Sequence, residues 1–119
     1  MLLHIIARSV WETAVSHPPY HPPSLDTEGF IHCSTVAQVL TPANERYQGQ
    51  TDLLLLCIDP EKVSHPLIYE DCYETGQQFP HIYGPLDPAA VVSVVAFPPN
   101  PDGSFSLPAV LSLWRDYPI

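Results

Sequence analysis

The chain has 119 residues, 45% of them hydrophobic and 14% charged, and a formal net charge of -9. That is one domain's worth of sequence, with enough apolar content to build a core without disulfide or metal staples. Its basic residues are only four, Arg8, Arg46, Lys62 and Arg115, which excludes a phosphate-neutralising groove for nucleic acid and a polybasic membrane contact.

Leu2–Ile6 reads as a short buried strand interrupted by His4. Ser9 and Glu12 match a capping box, so a helix is expected from Val10 to about Ser16, with Val10, Trp11, Ala14 and Val15 on one face. His17 to Pro23 holds four prolines and reads as a stiff surface loop. Gly29–Cys33 is a second strand, whose alternation sets Phe30 and His32 opposite Ile31 and Cys33. Ser34 or Thr35 is expected to cap a helix carrying Val36, Leu40, Ala43 and Tyr47, with a break or restart at Thr41-Pro42.

The apolar run Leu53–Ile58 suits a central strand covered on both faces. Asp59-Pro60 should open a single helical turn. Leu67–Glu70 and Ala89–Phe97 are the fourth and fifth strands, and Leu107–Trp114 a last short helix or strand. The expected architecture is α+β, a small split or mixed sheet with two or three helices, in one domain spanning 1–119. Its core is about 1–98, and 99–119 form a C-terminal extension.

Three cysteines without paired spacing argue against a disulfide framework. Met1–Ile6 lacks a basic leader, and no apolar run reaches membrane-spanning length, so a cytoplasmic protein is expected. No metal is expected either. His4, His32, His81 and Cys33 are suitable ligand types, but no metal-binding spacing joins them.

Two segments carry the candidate chemistry. In Gly29–Ser34, His32 on a strand and Ser34 at its end can hydrogen-bond a ligand at the sheet rim. In Phe79–Gly84, Phe79, His81 and Tyr83 sit in a segment stiffened by proline and can wall a pocket that stacks on a flat ring. The alternatives are a buried His32 bound to backbone and a structural loop plugging the core. Glu70, at a strand end, is the acid candidate, with a solvated carboxylate as its alternative. His4 matters if its strand lies beside that of His32.

These strings, together with Glu28-Gly29-Phe30-Ile31-His32-Cys33-Ser34, Tyr69-Glu70 and Phe79-Pro80-His81-Ile82-Tyr83-Gly84-Pro85-Leu86, resemble the family known as domain of unknown function 952, up to about Pro98. The resemblance implies a small ADP-ribosyltransferase-like fold, in which a split sheet opens a cleft for NAD. It implies His4 as a contact to the adenosine ribose and Glu70 as the acid at the nicotinamide ribose. His32-Cys33-Ser34 is similar to the His-x-Ser strand ending of the RNA phosphotransferases that share that fold.

On this reading the catalytic candidates are Glu70 and His32, and the ligand-binding candidates His4, Ser34, Phe79, His81 and Tyr83. The ligand is NAD or an ADP-ribose-like nucleotide, with backbone donors at a Ser34-Thr35 helix start serving its diphosphate. The alternative is a non-enzymatic module that senses a small ligand or binds a protein through Tyr20, Phe79 and Tyr83.

Overall fold

A computed structural model describes residues 1–112. Two three-stranded antiparallel sheets form the frame. The first, in the order β1-β3-β6, is built from β1 (Leu2–Ala7), β3 (Leu53–Ile58) and β6 (Val91–Ala96). The second, in the order β2-β5-β4, is built from β2 (Ile31–His32), β5 (Phe79–Ile82) and β4 (Leu67–Glu70). The sheets meet at an antiparallel bridge, in which Leu3 and Ser34 exchange backbone hydrogen bonds of 2.8 Å. The class is α+β with a split sheet. The ladders are antiparallel rather than mixed, and the described residues hold four α-helices: α1 (Arg8–Ser16), α2 (Ser24–Thr27), α3 (Leu40–Arg46) and α4 (Ala109–Ser112).

β3 lies between β1 and β6, and all six of its side chains are buried. Leu54, Leu56 and Ile58 join Leu2, Ile6, Ile31, Ile82 and Leu86 on one face. Leu53, Leu55 and Cys57 join Leu3, Ile5, Val39, Ala43 and Phe97 on the other. Burial on two faces explains the unbroken apolar run. The segment after Pro98 belongs to this second core. Phe105 stacks on Phe97 with centroids 4.7 Å apart, its amide donates to Asn44 Oδ1 at 2.7 Å, and Leu111 is fully buried. The expected element over Leu107–Trp114 is the short α4, and its last two residues lie outside the described ones.

Three local expectations change. Ser9 does not cap α1, because β1 runs straight into the helix. The Arg8 amide donates to the Asp52 carbonyl instead (3.0 Å), and the Arg8 guanidinium to the Asp52 carboxylate (2.8 Å). Trp11 and Ala14 face the core, while Val10 and Val15 are exposed. Ser34 and Thr35 start no helix. The Thr35 amide donates to Gln38 Oε1, the Ser34 amide to Leu3, and α3 begins at Leu40 with Pro42 in its first turn, where a missing donor is harmless. Phe79–Ile82 is a strand rather than a loop.

Two turns are alike. Asp59 accepts the Glu61 amide at 3.0 Å and Asp87 the Ala89 amide at 2.9 Å, each followed by a proline that opens a 3-10 turn.

The proline loop after α1 is not all surface. Tyr20 bridges Leu86 through paired backbone bonds of 2.8 and 3.0 Å, and its ring is buried. Its hydroxyl meets His4 Nε2 at 2.8 Å, and His4 Nδ1 meets the His32 carbonyl at 2.6 Å. A carbonyl only accepts, so Nδ1 carries the hydrogen and Tyr20 donates to Nε2. Tyr20→Phe would leave that buried nitrogen without a donor. The expected loss is about 1–3 kcal/mol in urea unfolding. A variant as stable as the parent would show that the bond contributes nothing.

Candidate functional site

Strand alternation builds the site. In the second sheet His32 lies opposite His81, and His81 opposite Ile68. Residues opposite one another share a face, so Phe30, His32, Phe79, His81 and Glu70 stand together. Ile31, Cys33 and Ile82 take the other face and enter the core.

His81 is 2% exposed and held on three sides. Its Nδ1 is 2.8 Å from Glu70 Oε1. Phe30 stacks on its face at 3.9 Å and 13°, and His32 meets it edge-on at 5.6 Å. Tyr83 donates its hydroxyl to the same Glu70 oxygen. The Tyr83 and His81 hydrogen bonds hold the Glu70 carboxyl below its ordinary range, and Glu70 pushes the Tyr83 hydroxyl up to about 12. A carboxylate accepts, so His81 carries a hydrogen on Nδ1 and turns Nε2 away from Glu70.

A second imidazole repeats the arrangement. His32 Nε2 lies 2.6 Å from Glu28 Oε2, which also accepts from Tyr73 at 2.9 Å. The Tyr73 ring lies parallel to His32 at 6.1 Å, and the Arg46 guanidinium sits 5.4 Å over Tyr73. Burial lowers the pKa of His32, and Glu28 offsets this only in part. Burial also works upward on Glu28, but the Tyr73 and His32 contacts outweigh it and hold that carboxyl low. His32 is therefore a neutral ring that donates to Glu28 from Nε2 and keeps a lone pair on Nδ1.

A cleft of about 610 Å³ opens beside these rings, within the usual size range for a small-molecule site. Its walls come from β1, the end of β2, α3 and the Tyr73–Gln77 loop. His4, His32, Ser34, Phe79 and His81 line it. Glu70 and Tyr83 are not in its lining, and reach it through His81. His4 touches the cleft with both nitrogens already engaged, and burial lowers its pKa to about 4. The backbone donors once expected at Ser34-Thr35 are committed to Leu3 and Gln38. Tyr20 is buried, so it offers no surface for a protein partner.

Glu28, Tyr73 and Arg46 were not site candidates from sequence. The Glu28–His32 spacing of four residues was the available signal. Cys33 faces the core, where burial pushes its thiol up to about 12, so it is no nucleophile near neutral pH. Among the described residues a different ligand-type cluster forms: Glu70, Cys72 and His81 place one donor atom each within 4.8 Å of the others.

Fold and site together define a small α+β domain with an imidazole-lined cleft beside the junction of two sheets. The profile of the family described as protein of unknown function DUF952 matches residues 5–94, and the chain belongs to that family. It is similar to the crystal structure of protein CC0527 from Caulobacter crescentus, at 28% identity and a TM-score of 0.83, over 93% of this chain and 97% of that one. The solution NMR structure of CC0527 matches with a TM-score of 0.80 at the same identity, over 94% and 97% of the two chains. No curated protein matches. No helix among the described residues is long and apolar enough to cross a membrane.

Proposed function

We propose that the cleft binds a small molecule through hydrogen-bond donors on a flat ring or sugar, with NAD or an ADP-ribose-like nucleotide as its ligand. One observation carries this reading: two imidazoles in one wall each turn a nitrogen to a carboxylate, Glu70 or Glu28, which leaves the other nitrogen of each ring for a ligand. The remaining nitrogen of each ring is the one able to meet a ligand, and in a neutral ring it accepts from amide or ribose hydroxyl groups. Phe30 and the carboxylates fix the rings beforehand, so little ordering cost falls on binding. The split sheet supports an ADP-ribosyltransferase-like reading, and Arg46 in the cleft wall offers a cation to a phosphate. Glu70 acts as a positioning residue through His81, so binding, rather than cleavage at the nicotinamide ribose, is the function the geometry favours.

The test is thermal unfolding with NAD, ADP-ribose and nicotinamide. A ligand at a hundredfold its dissociation constant adds about 2.7 kcal/mol of stability. NAD or ADP-ribose is expected to raise the Tm, and His32→Ala to abolish the rise. A Tm unmoved by all three compounds would overturn the nucleotide reading.

A further inference from the structure

We propose that Glu70, Cys72 and His81 form a zinc site behind the cleft, open to solvent through Cys72. His81 Nδ1 lies 2.8 Å from Glu70 Oε1 and 3.9 Å from Cys72 Sγ, and the three donor atoms fall within 4.8 Å of one another. Bonds of about 2.0–2.3 Å in a tetrahedral zinc site set its ligands roughly 3.3–3.6 Å apart. The cluster thus needs small side-chain shifts and no movement of the fold. Nitrogen, thiolate and carboxylate together suit zinc and disfavour calcium or magnesium, which take oxygen.

The support is already built. β5 and β4 hold His81 and Glu70 in adjacent strands, Phe30 fixes the imidazole plane, and Tyr83 donates to the Glu70 carboxylate as an outer partner. Cys72 lies two residues beyond Glu70 and is exposed, which gives the ion a route in. Three protein ligands leave the fourth position to water, the pattern of zinc sites that are not purely structural.

Binding has a defined proton balance. The Cys72 thiol loses its proton to solvent as the sulfur–zinc bond forms. The Nδ1 proton of His81 moves to Nε2, so that Nδ1 can donate its lone pair to the metal. Starting from a neutral His81 ring, one proton is released in all. Nε2 of His81 then becomes a donor where a neutral metal-free ring has an acceptor.

Cobalt(II) titration of the reduced full chain, as a spectroscopic substitute for zinc, tests the site. One equivalent is expected to give a thiolate-to-cobalt charge-transfer band, which zinc then displaces. Cys72→Ser, a change at an exposed position, should abolish the band, and Tyr83→Phe should weaken zinc binding about 10–100-fold. Absence of the band in the parent chain, or its survival in Cys72→Ser, overturns the proposal. A nucleotide-induced Tm rise that persists in metal-free Cys72→Ser would keep the cleft reading whatever the metal result.

Discussion

Acidification from pH 7 to pH 4 is expected to remove on the order of 3 kcal/mol of stability through His4 alone. Burial lowers the His4 pKa to about 4 in the folded protein, against about 6.5 in an unfolded chain. Between those values the unfolded state binds a proton that the folded state does not, so stability falls as pH falls. The contribution is whole above about pH 6.5 and lost as pH drops through about 4. The geometry explains the resistance to protonation: Nδ1–H is spent on the His32 carbonyl, and Nε2 accepts from Tyr20. His4→Gln keeps a neutral donor and acceptor but cannot titrate. Urea unfolding across this pH range should show a shallower pH slope in the variant, after the carboxylates common to both are subtracted. Equal slopes in parent and variant would show that His4 titrates alike folded and unfolded.

Leu56→Ala is expected to cost about 3 kcal/mol, within the usual range for deleting a buried leucine side chain. Leu56 is fully buried at the middle of β3, with His4 opposite on β1 and Val94 on β6. Strands on both sides hold the backbone, so the cavity has little freedom to collapse. Typical domains have only about 5–15 kcal/mol in total. The urea midpoint should fall with the slope unchanged. A loss below about 1 kcal/mol would mean that the core around β3 refills.

Much of the frame was legible because burial leaves simple patterns. The six apolar residues of β3 announced a strand covered on both faces, and Asp59-Pro60 announced its turn. Alternation in Gly29–Cys33 put Phe30 and His32 together, as the structure has them. β5 was hidden by Pro80, since a proline inside a pattern reads as punctuation. The sheet tolerates it there because β2 has already ended: the Cys33 amide donates to the Pro80 carbonyl at 3.1 Å, a group proline retains. Without β5 the opposition of His32 and His81 could not be derived, nor the placing of Glu70 behind His81. Tyr73 was invisible for another reason. It reaches Glu28 from a polar loop whose path is set by the Asp71 carboxylate gathering the amides of Thr75 and Gly76, and no periodic signal marks such a loop.

The pairing of β1 with β3 governs the order in which the chain can assemble. Leu2 meets Ile58 and Ala7 meets Leu53, so beyond the single bridge to Ser34 the first strand has no ladder partner until a more distant stretch has been synthesised. Closing so long a loop costs entropy before any contact repays it. The β4–β5 hairpin, much nearer in sequence, can form early and offer Ile82 as a surface for collapse. By loop length alone, the β1–β3 ladder closes at a higher entropic cost than the hairpin, and the apolar side chains of Leu2 to Ile6 gain their full cover only when it does.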